Sequence, residues 1–364
     1  MSAVMARRIA VVGGGVAGLM AAWWASNYGY DVVVYEADLS SLTATRVSAG
    51  IIDPTIDISL APVALETLSL LKRLGLGLES RLLWLHERGS CRRLERLLSD
   101  KGIIERSVAG EESIRLGRYT VNLGYGEELH VINTIIVDTG EFYSLASSAS
   151  NVDIVEDSVE YVGCGSVGLK RGGSREFDAI IVAAGPWTGF ISGLQALSNM
   201  LRVYRCEALI IRAGGGPFAV VDDILDFYLS IHASGDGVLG NGCCVEIASP
   251  LDGYRYSGDV LDAVISRSIE RLEGLGEAEL ITPVSAPCVV GRDARPVLGM
   301  LPGCSRVYLL AGLDGVGVTL APVLARLVVE SIATGSQEPI PPEMAASRPT
   351  SSSESVVKEP VEEC

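Results

Sequence analysis

Near its start the chain runs R-I-A-V-V-G-G-G-V-A-G-L-M, and Gly13-x-Gly15-x-x-Gly18 stands where a short apolar run gives way to a helical pattern. Each glycine in that spacing has a separate job. The first permits a tight turn, the second lets the backbone approach a pyrophosphate, and the third lets helix and strand pack closely. The helix start then offers N–H groups and partial positive charge to phosphate. Glu36 follows 18 residues after Gly18, at the end of the next apolar run. A carboxylate there can accept both hydroxyls of an ADP ribose and repels a 2′-phosphate. Residues 8–12, 16–28 and 31–36 read as strand, helix and strand, within the roughly 30 residues that a βαβ unit needs. The pattern predicts a dinucleotide site and does not separate NAD from FAD.

Three later segments bear on that choice. The first is Thr45-Arg46-Val47-Ser48-Ala49-Gly50, a small-residue stretch after the Glu36 strand. The second is D-A-I-I-V-A-A-G-P-W-T, residues 178–188, with Val159 ahead of it. The third is G-R-D-A-R-P-V-L-G-M-L-P followed by A-G-L-D-G-V-G-V-T-L-A-P, within residues 291–322. In this order the motifs resemble the FAD-dependent D-amino-acid oxidase, glycine oxidase and sarcosine oxidase family, the DAO family. The resemblance spans most of residues 8–335 and is thin through 78–133.

The resemblance implies FAD as cofactor. It assigns to FAD Gly13, Gly15, Val16, Ala17, Gly18, Glu36 and Ala37 at the first turn, and Thr45, Arg46, Ser48, Ala49 and Gly50 at the small-residue stretch. It adds Val159 as an adenine contact, Ala184, Gly185 and Trp187 at the second return, and Gly312, Asp314, Gly315, Val316, Gly317, Val318 and Thr319 around the flavin pyrimidine. Backbone N–H groups there are suited to the negative charge that a reduced flavin carries.

Substrate residues are less marked. Family members that act on amino acids commonly hold the carboxylate with an Arg shortly before the last signature, and here that position is Cys288, a departure. Arg292 is near enough to substitute, as carboxylate ligand or as surface ion pair. Tyr228 and His232, in F-Y-L-S-I-H, lie where the family places substrate contacts, and packing or a structural histidine is the alternative for each. In sarcosine-oxidase-like members a cysteine just ahead of this signature carries covalent flavin, for which Cys288 is the candidate. No catalytic base is evident, and none is required if an amine binds unprotonated.

The implied activity is oxidation of the C–N bond of a small amine or amino acid of the glycine, sarcosine, proline or D-amino-acid type. Oxygen, a quinone or a partner subunit would accept the electrons. A 2-hydroxyacid or glycerol-phosphate dehydrogenase, and a non-catalytic or electron-transferring FAD subunit of a larger complex, remain as alternatives.

The elements that must position these residues follow from the pattern. The fold expected is α/β: a discontinuous Rossmann-like FAD-binding domain (1–77, 138–195, 288–335) with an inserted, antiparallel, β-rich substrate domain (78–137, 196–287). Residues 62–74 and 78–98 read as helical, 113–137 as strands and 140–150 as a helix. Residues 152–162, 165–170 and 177–182 read as three strands, as do 201–211, 227–232 and 237–247. Residues 261–272 and 323–334 read as helices, flanking a last strand at 307–310. Residues 336–364, with five prolines, six serines and six acids, have the composition of a disordered tail.

Of the 364 residues 48% are hydrophobic, which excludes fibrous and disordered classes. A net charge of −16 without a basic patch argues against nucleic acid as a partner. No uninterrupted apolar window predicts a membrane span, and a soluble, cytoplasmic protein is the expectation. The eight cysteines show no C-x-x-C pair and there are three histidines, so no metal site is expected. Free or buried thiols of a reducing compartment are the expected state of the cysteines. Two glutamines in the whole chain suggest a thermophile, where intracellular disulfides do occur.

Overall fold

The computed structural model describes residues 7–241 and 244–349. Its first sheet has six strands in the order Val297–Met300, Val307–Ala311, Ala179–Val182, Arg8–Val12, Asp31–Glu36 and Val152–Glu156. All neighbours run parallel except Val297–Met300, which pairs antiparallel with Val307–Ala311. Strands covered on both faces need side chains that are apolar in both directions, which explains the unbroken I-A-V-V, V-V-V-Y and A-I-I-V runs. Ile9 and Val11 meet the helices Val16–Asn27 and Gly317–Thr334 on one face. Ala10 and Val12 meet Val162, Val167 and Leu194 on the other. That second face is covered by a small antiparallel sheet of Val159–Gly163, Ser166–Leu169 and Gly173–Glu176.

The second sheet has nine strands. One path runs Val245–Glu246, Leu201–Arg212, Asp236–Gly240, Phe227–Ile231, Phe218–Asp222, Leu78–Glu87, Glu127–Ile136 and Ile104–Ala109. The ninth, Glu279–Gly291, pairs with Leu201–Arg212. Pairing is antiparallel except between Phe218–Asp222 and Leu78–Glu87. Helix Arg92–Asp100 covers one face through Leu94 and Leu98, and helix Gly258–Arg271 covers the other through Leu261 and Val264. The α/β class with a separate antiparallel sheet is therefore as expected from the sequence.

Several local expectations are corrected. Residues 78–98 are a strand, Leu78–Glu87, then the helix Arg92–Asp100, and not one helical stretch. Leu82, Leu83, Trp84 and Leu85 are all fully buried because both faces of that strand are covered, so no alternation marked it as β. Residues 152–162 break at Asp157 into two strands belonging to different sheets. Strand Glu279–Gly291 was not anticipated. Pro283 and Pro287 obscure it, and they are tolerated because, among the described residues, the stretch that holds them pairs with no strand other than Leu201–Arg212.

The tail also departs from expectation as far as it is described. Ile340, Met344 and Ala346 are buried, and Arg348 makes two hydrogen bonds to the Asp293 carboxylate at 2.7 and 2.8 Å. A composition typical of disorder still packs when a few apolar side chains find seats on an existing sheet; residues 350–364 lie outside the described residues. Cys164 and Cys304 form a disulfide, correcting the expectation of free thiols. Among the described residues one helix, 314–334, is long and apolar enough to cross a membrane, and it is mostly buried inside the protein.

Candidate functional site

Gly13 ends the first strand with φ +106°, and its N–H donates to Tyr35 O at 2.8 Å. A side chain at Gly13 would collide with Ala183 O, and one at Gly18 with Gly13 O. Only glycine lets the turn lie under the 183–184 return while the helix packs onto the strand. Gly15 differs. A Cβ there would meet only the Thr45 hydroxyl, at 3.2 Å, on the wall of an open groove.

That groove has a volume of about 850 Å³ and runs between the ends of the parallel strands. Gly13, Gly15, Val16, Ala17, Glu36, Ala37, Thr45, Val159, Ala184, Gly185, Trp187, Gly312, Asp314 and Gly317 line it. The Glu36 carboxylate is half-buried on this wall. Its Oε2 accepts the Gly14 N–H at 2.6 Å and its Oε1 the Asp38 N–H at 3.3 Å, which leaves lone pairs for ribose hydroxyls. Groove, glycine cradle and aimed carboxylate fit an ADP moiety.

A smaller cavity of about 230 Å³ adjoins the groove. Val16, Ala44, Thr45, Cys288, Asp314 and Gly317 line both, so the two are continuous there. Ser48, Ala49, Gly315, Val316, Val318 and Thr319 complete one wall. Helix Gly317–Thr334 begins at this wall without a side-chain cap, so its first N–H groups supply donors and partial positive charge. The Thr319 hydroxyl is turned away, donating to Ile51 O at 3.2 Å and accepting the Asp53 N–H at 3.0 Å. Asp314 holds φ +53°, a strained backbone for a non-glycine residue at the mouth of a site.

The second sheet supplies the opposite wall through Cys206, Glu207, Ala208, Val221, Tyr228 and Cys288. Cys206 and Cys288 lie on adjacent strands two positions out of direct register, since Cys206 opposes Ala286 and Tyr204 opposes Cys288. Cys206 Sγ is also 2.6 Å from Cys244 Sγ. Hydrogen bonds to Cys244 and Cys288, and then burial, push the Cys206 thiol well above its ordinary range, so it is not a thiolate nucleophile at neutral pH. Burial, with the neighbouring sulfurs, likewise raises the Tyr228 phenol, which stays a hydrogen-bond donor.

Asp53 is the titratable group that the motifs missed. Its Oδ1 accepts the Thr55 N–H at 2.8 Å and the Thr55 hydroxyl at 2.6 Å, yet burial outweighs both and pushes the carboxyl up to about 6. Its position three residues beyond the small-residue stretch is the only clue. Nothing local marks Cys206, because its place beside Cys288 comes from strand register.

Some anticipated residues lie elsewhere. Arg46 is exposed, its guanidinium donating to Leu39 O, and Gly18 and Gly50 serve backbone packing without lining either cavity. Arg292 is exposed beyond the end of strand Glu279–Gly291, its N–H bonded to Met200 O, and lines neither cavity. His232 sits in the hairpin turn after Phe227–Ile231 and also lines neither. Of the three substrate candidates only Tyr228 faces the cavity.

Known proteins bear on this geometry in two ways. No curated protein matches the chain by sequence. Among solved structures, L-proline dehydrogenase from P. horikoshii is similar at 17% identity and TM-score 0.77, over 91% of this chain and 94% of that one. Glycine oxidase from Geobacillus kaustophilus is similar at 19% identity and TM-score 0.73, over 91% and 95%. L-amino acid deaminase from Proteus myxofaciens follows at 14% and 0.77, over 93% of each chain. These likenesses establish the fold. The family model for DAO, FAD dependent oxidoreductase, matches residues 8–331, a span holding the glycine turn, the 183–184 return and the 314–319 wall. The chain therefore belongs to the DAO family of FAD-dependent oxidoreductases and is an enzyme that uses FAD.

Proposed function

We propose that the enzyme oxidises the C–N bond of a small amine or amino acid, of the glycine, sarcosine, proline or D-amino-acid type. The observation that carries this reading is the chemistry of the smaller cavity. Its described lining holds the carboxylates of Asp53, Glu207 and Asp314, with Tyr228, and no Arg or Lys. Glu207 is already engaged, by Arg205 Nε at 2.8 Å and by the Ser257 N–H at 2.7 Å. Of the other two, Asp314 stands at the mouth shared with the groove, and Asp53 faces the ligand within. With its pKa near 6 it is ionised at neutral pH, attracts an ammonium group and can take a proton from it. Tyr228 can donate a hydrogen bond, and the apolar wall excludes water. When bound, FAD supplies the two-electron acceptor for the Cα–H of the neutral amine. The chain's part is to neutralise, orient and enclose that amine.

The names of the structural neighbours point the same way, toward glycine, iminodiacetate, L-proline and L-amino acids. The described lining offers no Arg or Lys to pair with the anionic group of an amino acid, a 2-hydroxyacid or glycerol phosphate alike, so what favours the C–N reading over the C–O one is the amine-directed Asp53. The electrons pass on to oxygen, a quinone or a partner subunit. We place the enzyme in the cytoplasm of a thermophile, where the Cys164–Cys304 disulfide can persist.

Anaerobic titration of the yellow protein tests the reading. Bleaching of the flavin band by a small amine or amino acid is the expected result. Bleaching by a hydroxyacid or glycerol phosphate alone, or only after a partner chain is added, overturns it. Reoxidation by air against reoxidation by a quinone then identifies the acceptor.

A further inference from the structure

Two of the chain's three histidines meet far from the glycine turn in sequence. His86 lies on strand Leu78–Glu87 and His130 on its antiparallel neighbour Glu127–Ile136. In register His86 opposes Glu128 and Trp84 opposes His130, so these four side chains share one face. The imidazoles stack with centroids 5.1 Å apart. Helix Arg92–Asp100 packs on the same face through Leu94 and Leu98 and carries Glu95 to the pair. Glu95 Oε1 is 3.6 Å from His86 Nε2 and 4.0 Å from His130 Nε2, and Glu128 Oε1 is 4.0 Å from His130 Nε2.

The cluster is buried and unsatisfied. The histidines are 1% and 3% exposed, and among the described residues His86 Nε2, His130 Nε2 and Glu95 Oε1 have no hydrogen-bond partner. Orphaned buried polar atoms are costly, and three aimed at one point call for something that satisfies them together. A proton does not, because a charge-assisted N–H···O bond closes to about 2.7–2.9 Å and these gaps are wider. A cation does. Ligands about 2.0–2.2 Å from a tetrahedral Zn²⁺ lie about 3.3–3.6 Å from one another, against 3.6 and 4.0 Å from Glu95 to the two imidazoles and at most 4.8 Å between any two of the three ligand atoms.

The other ring nitrogens support the same conclusion. His86 Nδ1 is 2.9 Å from Glu87 O, which can only accept, so Nδ1 carries the hydrogen and Nε2 presents its lone pair. His130 Nδ1 is 2.7 Å from the Ser107 hydroxyl. Metal-ligating histidines characteristically anchor their second nitrogen in this way.

We propose that His86, His130 and Glu95 bind one divalent transition cation, for which two imidazole nitrogens and a carboxylate oxygen suit Zn²⁺. Water, or the Glu128 carboxylate 4.0 Å from His130 Nε2, completes the fourth position, and the ion ties helix Arg92–Asp100 to the second sheet. The absence of metal spacing in the sequence does not oppose this, because the ligands come from three elements that only the fold brings together. Nothing in the proposal depends on which substrate the flavin oxidises.

The test uses tag-free, FAD-loaded full-length chain, stripped with EDTA and titrated calorimetrically with ZnCl₂. One Zn²⁺ per chain and a raised melting temperature are expected. Glu95→Gln and His130→Gln should each weaken binding by at least about tenfold while the flavin spectrum stays unchanged. Should a variant fail to fold, Co²⁺ titration of the unaltered chain decides by itself. The intense visible bands of four-coordinate Co²⁺, with two paramagnetically shifted imidazole N–H resonances, are the expected signature. No stoichiometric binding of Zn²⁺ or Co²⁺ at micromolar concentration, binding without those resonances, or folded variants that bind like the parent, overturns the proposal.

Discussion

Asp53 and Thr319, 266 residues apart, are joined by a hydrogen bond of 3.0 Å from the Asp53 N–H to Thr319 Oγ1. The bond fastens the segment after the small-residue stretch to the first turn of helix Gly317–Thr334. Both walls of the smaller cavity's nucleotide side are thereby set relative to each other. It also orients Asp53, the carboxyl on which the proposed amine chemistry turns.

The Asp53 carboxyl titrates near 6 in the folded protein, above its ordinary value of 3.8. The folded state therefore binds this proton more tightly than the unfolded one, so Asp53 disfavours folding above pH 6 and that cost fades as pH falls toward 4. Asp53→Asn should stabilise the protein at pH 8 by up to about 3 kcal/mol, at 1.36 kcal/mol per pKa unit, and change little at pH 4. Denaturant melts at the two pH values measure this. The acid limb of kcat/KM near pH 6 should disappear in the same variant.

Glu36→Ala removes the acceptor of the Gly14 N–H along with the carboxylate facing the ribose site. A charge-assisted hydrogen bond is worth about 1.5–3 kcal/mol, so the FAD dissociation constant should rise roughly ten- to a hundredfold. Flavin fluorescence titration of the apoprotein reads the change. Substrate KM at saturating FAD should be unaffected.

Arg271 is 5% exposed and bridges Asp222 Oδ2, at 2.6 Å, and the Glu127 carboxylate, tying helix Gly258–Arg271 to two strands of the second sheet. Arg271→Met leaves the buried Asp222 carboxylate and the half-buried Glu127 carboxylate without their cation. Such a loss costs about 3–5 kcal/mol, visible as a large drop in melting temperature. Arg271→Met combined with Asp222→Asn should recover part of it.

The Arg348–Asp293 pair makes the terminal segment part of the fold. Burial raises the Asp293 carboxyl, but hydrogen bonding and charge from Arg348 outweigh it and hold the pKa below the ordinary range. The resulting stability is present above about pH 4 and is lost as pH falls through the depressed folded value. Ending the chain at residue 335 also uncovers the seats of Ile340, Met344 and Ala346. Thermal melts should show a clear loss for that truncation at neutral pH, and a smaller, acid-suppressed loss for Arg348→Ala.

Much of the cofactor domain was legible along the chain. Gly13, Gly15, Gly18 and Glu36 act through backbone geometry within a single βαβ unit, and parallel strands covered on both faces must be apolar throughout. Those constraints are local, so a linear pattern records them. The 78–98 segment misled for the same reason, because a strand buried on both faces and a helix can share one apolar run.

What the sequence by itself determined was the family, the dinucleotide turn and the general position of each returning segment. The tertiary structure alone decided which side chains meet. It set Cys206 beside Cys288, turned Asp53 into the cavity, carried Arg292 out to solvent and brought Glu95 to His86 and His130. Those meetings depend on strand register and on which helix face packs against which sheet. Both are fixed by burial summed over the whole core, which no short stretch of sequence contains.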